Sequence, residues 1–108
     1  MLSFFLSVFL LLGPSKTNFD PCQVYGKIYE MENPGMADFL VYEEDSEAFA
    51  DVLVFEHDNP LYADRPGQWA FVENKAFANV YVSFVSNKSR ADFSIAFTDT
   101  ESFAGCNR

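Results

Sequence analysis

The sequence is short of soft metal ligands and of positive charge. One His and two Cys in 108 residues are too few for a zinc or iron–sulfur centre. Seven Lys and Arg stand against 16 Asp and Glu, a net charge of -9. Without a basic face to meet phosphates, a nucleic-acid binder is excluded, and attachment to an anionic membrane surface is disfavoured. The apolar run at residues 2–12, LSFFLSVFLLL, falls short of the roughly 20 residues that span a hydrocarbon core. No window is long or periodic enough for a free-standing helix, and the length admits one small domain rather than two. What is present is apolar: 49% hydrophobic and 18% aromatic residues, with 13 Phe. Such a chain is globular rather than disordered.

The run at 2–12 ends abruptly at Gly13, Pro14 and Ser15. Its length and uniform apolarity predict a secretory signal peptide over residues 1–15, although no basic residue precedes it and no small-x-small cleavage site follows. A buried first strand or helix is the alternative. Removal would leave residues 16–108 as one domain, secreted or periplasmic, with no stable membrane span and its charge unchanged. Cys22 and Cys106 lie 84 positions apart. In an oxidising compartment they are natural disulfide partners, and closing so long a loop stabilises by about 4–5 kcal/mol in the chain-entropy account. Two buried thiols, or a thiol nucleophile served by His57, are the other readings.

From residue 37 onward a repeat organises the chain. Ala37-Asp38, Ala50-Asp51, Ala63-Asp64, Ala78-Asn79, Ala91-Asp92 and Ala104-Gly105 follow one another at spacings of 13, 13, 15, 13 and 13. After each of the first five pairs comes a short segment rich in Val, Ile, Phe and Tyr, such as Val52-Leu53-Val54-Phe55. Val24 to Tyr29 has the same character. Composition and length favour strands, so the fold class is mainly β, about six short strands joined by turns or single helical turns. The Ser46-Glu47-Ala48-Phe49 and Asn74-Lys75-Ala76-Phe77 stretches fit capped single turns. The first two repeats are apolar on consecutive positions, predicting strands covered on both faces. The last three alternate more, predicting one wetter face.

The small Ala marks a crowded position, and the Asp beside it invites a functional reading. Stacked in parallel, Asp38, Asp51, Asp64 and Asp92 would form a ladder calling for a divalent cation, which Asn79 and Gly105 interrupt. The plainer expectation is that each Asp accepts hydrogen bonds from local turn amides. The unit with the 15-residue spacing carries Arg65, Gln68 and Trp69, a candidate binding loop, since Trp and Arg are enriched at binding hot spots; a longer turn with a core Trp is the plainer expectation. Asn87-Lys88-Ser89 matches a glycosylation acceptor. His57, between Glu56 and Asp58, reads as a surface residue.

With the repeat in place, residues 22–107 resemble the septoil-knot domain family, a bacterial family of unknown function. Cys22-Gln23-Val24-Tyr25-Gly26-Lys27, Asp45-Ser46-Glu47-Ala48-Phe49-Ala50-Asp51, Asp58-Asn59-Pro60-Leu61-Tyr62-Ala63-Asp64-Arg65-Pro66-Gly67 and Thr98-Asp99-Thr100-Glu101-Ser102-Phe103-Ala104-Gly105-Cys106 carry the resemblance. It implies a small β domain threaded into a seven-crossing knot, and it supplies no catalytic residues. Together these readings predict an exported, monomeric, non-enzymatic structural or protein-binding module without a cofactor, its partner undefined. A cation-binding module is the alternative. An enzyme built on a thiol or on a carboxylate pair stands third, since 16 acidic residues place some pair within reach by number alone.

Overall fold

The structure, a computed structural model, describes residues 20–107; the expected signal peptide at 1–15 lies outside them. Each repeat begins with one 3-10 turn: Pro21–Gln23, Pro34–Met36, Glu47–Phe49, Pro60–Tyr62, Lys75–Phe77, Lys88–Arg90 and Glu101–Phe103. Before six of them stands Asp20, Asn33, Ser46, Asn59, Asn74 or Asn87, whose side-chain oxygen accepts from the backbone N–H two residues on. These short polar side chains favour a capped turn over a continuing helix, so each turn stops after three residues. The chain then enters a strand: β1 Gly26–Glu30, β2 Phe39–Glu43, β3 Val52–Glu56, β4 Gln68–Phe71, β5 Val80–Phe84, β6 Phe93–Phe97 and the two-residue β7 Gly105–Cys106.

Strands β1 to β6 are mutually parallel and close into a ring, in the order β1-β5-β2-β6-β3-β4 and back to β1. The first three occupy alternate places, and the last three fill the gaps. Each 13-residue unit therefore advances two places, passing over the strand between. Pro34–Met36 packs on β5, Glu47–Phe49 on β6 and Lys88–Arg90 on β2, in each case the strand skipped. Three such steps in a ring of six would return the chain to the place of β1. The 15-residue unit between β3 and β4 advances one place instead, and this change of phase lets the second lap interleave with the first.

The seam between β3 and β4 is short, pairing only Phe55 with Gln68 and Glu56 with Trp69. At its other end β7 runs antiparallel to β3, Val52 facing Cys106 and Leu53 facing Gly105. The chain end is fastened there: Asn107 donates through its backbone to the Asp51 carbonyl and through its side chain to the carbonyls of Glu47 and Ala50. The disulfide joins Cys106 to Cys22, with Cα atoms 4.9 Å apart, within the span a disulfide bridges.

Alternate residues point into the ring. Ile28, Val41, Val52, Val54, Trp69, Val82, Phe93 and Ile95 form the buried core, with Val24 at one end. Trp69 is fully buried, faces Gly26 across the β1–β4 pair and donates from Nε1 to the Val24 carbonyl. An indole fits there because its neighbour has no side chain. On the outer side, Leu53 packs with Ala50 and Ala96 beneath the crossing turns. That layer corrects one expectation: β6, predicted to alternate with a wet face, is buried at Phe93, Ser94, Ile95 and Ala96 in succession, because the connection through Glu47–Phe49 covers it.

Candidate functional site

Parallel strands that all end at one rim bring their last residues together. The first-lap strands end in Glu30, Glu43 and Glu56, 13 residues apart, and the second-lap strands in Phe71, Phe84 and Phe97, also 13 apart. Because the laps interleave, Glu and Phe alternate around this mouth. Register sets the phenylalanines lower: Phe71 is level with Ile28, Phe84 with Val41 and Phe97 with Val54. The Phe71 ring lies 6.4 Å from Phe84 and 6.3 Å from Phe97, tilted 39° and 54° to them. The trio lids the core while remaining partly open to solvent. Above it lies a cavity of about 310 Å³ lined by Glu30, Glu43, Phe71, Phe84 and Phe97. Both glutamates are exposed, and among the described residues neither has a hydrogen-bond or ion-pair partner. Sequence reasoning missed this site, although the two 13-residue series were visible once the repeat had been phased. Just outside the rim, Lys88 is paired with Glu44; the hydrogen bond it donates to that carboxylate holds the ammonium above its usual pKa of 10.5.

The repeat aspartates do other work. Asp38 donates its N–H to the Tyr81 carbonyl and accepts from the Tyr81 N–H on Oδ2 at 2.9 Å. Asp51 clamps Ser94 likewise, Asp92 clamps Leu40, and Asn79 clamps Lys27. Partners are 43 or 52 residues away. For Asp38, Asp51 and Asp92 the expectation of local turn amides is thus corrected: their carboxylates cap neighbouring strands of the other lap, which expose amides where each pairing begins, while Asp64 is exposed. Among the described residues no three of Asp38, Asp51, Asp64 and Asp92 bring ligand atoms within 4.8 Å of one another. The group that does so is Asp20, Cys22 and Cys106, whose sulfurs are joined to each other.

The candidate loop at the phase change does not form a surface. Trp69 is in the core, and Gln68, the residue before it, is 5% exposed. Only Arg65 of the three is exposed. Gln68 Nε2 donates to Glu101 Oε2 at 3.0 Å. His57 is not a surface residue either: its side chain is 12% exposed, its ring lies 4.9 Å from Phe55 and 6.2 Å from Tyr62, and its Nε2 is 3.7 Å from the same Glu101 oxygen.

The crossing turns carry a second surface. At the third position of five of them stand Met36, Phe49, Tyr62, Phe77 and Phe103, all between 58% and 71% exposed. Asn87, in the glycosylation-like string, caps its own turn through Ser89. Among the described residues no helix is long and apolar enough to cross a membrane. The sequence model of the 7(1) septoil knot domain matches residues 21–107. No curated protein and no solved structure matches the chain.

Proposed function

The chain belongs to the 7(1) septoil knot domain family, and from that premise we propose that it is an exported, monomeric, non-enzymatic module that presents a protein-binding surface on a threaded, disulfide-closed frame. The observation that carries this reading is the repetition of large exposed apolar side chains on the capped turns, at Met36, Phe49, Tyr62, Phe77 and Phe103. Contiguous exposed apolar surface marks interaction sites, and the repeat sets one exposed apolar side chain on each of five turns. Rigid three-residue turns hold it with little ordering to be done on binding. The Cys22–Cys106 bond and the apolar run at residues 2–12 support work outside the reducing cytosol.

Two experiments test the reading. Limited proteolysis with and without reductant tests the frame: the oxidised chain is expected to resist and the reduced chain to yield, and rapid digestion of the oxidised form would overturn it. Affinity capture from the native host, comparing the wild-type chain with a Phe49→Ser, Phe77→Ser, Phe103→Ser variant, tests the surface. A protein held by the first and lost by the second is expected. Retention by both refutes the assignment of the surface.

A further inference from the structure

We propose that the mouth of the ring, separate from the turn-borne surface, is a binding site for a quaternary ammonium group. Three features converge on that chemistry. The floor is aromatic and reachable from solvent: Phe71, Phe84 and Phe97 meet at centroid separations of 6.3 and 6.4 Å and present π surface from differently tilted planes. The wall is anionic: Glu30 and Glu43 line the same cavity, and neither carboxylate is committed to any partner among the described residues. The space, about 310 Å³, is of the size in which small ligands are held.

These features select among ligands. An anion is repelled by the two carboxylates and by the protein's net charge of -9. A neutral apolar molecule would bury its surface on the phenylalanines but leave the carboxylates nothing to meet. A primary ammonium is strongly hydrated and wants three acceptors, whereas a trimethylammonium group gives up its water readily, lays its methyls on aromatic rings and still carries a charge for the rim. Aromatic residues bind such cations through the ring quadrupole, and nearby carboxylates add Coulomb attraction. The cation can be free or borne on a protein as trimethyllysine; the recognised chemistry is the same.

The arrangement is specific to this end of the ring. It exists because each first-lap strand ends in Glu, each second-lap strand ends in Phe, and the interleaved order sets one between two of the other. No binding role is needed to explain the phenylalanines as a lid for the core. Such a lid alone would not call for three rim carboxylates at matching repeat positions beside it, where like charges repel one another across the mouth.

The test titrates the oxidised full-length chain with choline, with its neutral isostere 3,3-dimethylbutan-1-ol, and with a short peptide carrying trimethyllysine, followed by NMR shifts of the three phenylalanines. Saturable choline or trimethyllysine binding is expected, with the neutral isostere about 3- to 30-fold weaker, the span that cation–π energies correspond to. Stronger binding of the peptide than of choline assigns a protein-borne cation, and the reverse a free one. Phe84→Leu keeps the floor apolar, and the Glu30→Gln, Glu43→Gln pair keeps the rim shape at exposed positions; each is expected to weaken cation binding without affecting the isostere. Equal affinity for cation and isostere, no saturation with either cation, or unaltered binding in both variants would overturn the site. None of these outcomes bears on the turn-borne surface.

Discussion

The point where the chain end crosses the phase-change unit is where one added methyl should do most harm. Gly67 has φ +84°, and a Cβ there would lie 2.2 Å from the Gly105 nitrogen and 2.8 Å from the Ala104 carbonyl carbon. These are backbone atoms. They belong to a segment held by the Cys22–Cys106 bond and by the hydrogen bonds of Asn107, so they cannot swing away as a side-chain tip can. Gly26 provides the control. It too has positive φ, +109°, but its Cβ would meet the side-chain oxygen of Asn79 at 2.9 Å. Left-handed backbone costs a non-glycine residue about 1–2 kcal/mol, offset by about 0.4–1 kcal/mol from the stiffer unfolded chain. Displacing Asn79 from its bond to Lys27 adds about 1 kcal/mol, so Gly26→Ala is expected to cost about 1–2 kcal/mol. Gly67→Ala carries the same conformational cost plus a backbone collision, for which overpacking data suggest about 1–3 kcal/mol more. The total of about 1–4.5 kcal/mol, its upper part favoured by the 2.2 Å approach to backbone, lowers Tm by roughly 5–35 °C in a domain of this size. Urea unfolding of the oxidised proteins, followed by Trp69 fluorescence, measures both variants. Equal losses for the two glycines, or no loss at Gly67, would refute the reasoning that the chain end presses on the phase-change unit.

The other expectations concern parts of the frame. Replacing Cys22 and Cys106 by Ser should lower stability by about 4–5 kcal/mol in denaturant titration, since an 84-residue loop is released. Asp38→Ala should cost about 1–2 kcal/mol by leaving the Tyr81 amide without its acceptor, while Asp38→Asn should be close to neutral; if the aspartates served a cation instead, Asn would fail as Ala does. Trp69→Phe should cost about 1–3 kcal/mol, mainly the cavity left in the core, since the Val24 carbonyl keeps the Gly67 N–H as a partner, read from the shift in denaturation midpoint by circular dichroism. Because Glu44 raises the folded-state pKa of Lys88, the pair's contribution is present below pH 10.5 and lost as pH climbs through the higher folded value. Glu44→Gln should therefore flatten the alkaline end of the Tm-versus-pH curve.

The sequence made the unit of construction legible and hid the assembly. The spacing of the Ala-Asp pairs revealed the repeat, and Ser46 and Asn74 announced the capped turns, because both depend on local chemistry within a few residues. The destination of each Asp was hidden, since Asp38 meets Tyr81 and Asp92 meets Leu40 only once the laps interleave. Gln68 and His57 were misplaced for the same reason, whereas Trp69 took the core position its apolar bulk suggests. Around them the sequence reads as a polar surface loop, Arg65-Pro66-Gly67 and Glu56-His57-Asp58, yet the one-place step folds them into the seam. Glu30, Glu43 and Glu56 are unremarked acidic residues until a ring order sets a Phe between each pair.

Interleaving has a consequence for how the chain comes to be folded. Apart from the short β3–β4 seam, every strand pair joins residues 43 or more positions apart, and β1, β2 and β3 do not pair with one another at all. A growing chain that has reached Glu56 holds three strands with gaps between them and no ladder to close. The first lasting pair must wait for β4, and the ring for β6. Contacts this distant carry the full entropy of loop closure before they reward it, which makes folding slow. No fragment of the first lap is a folding unit, and ribosomal emergence offers no early refuge. On the proposed reading of export, that delay keeps the chain unfolded until it has crossed the membrane.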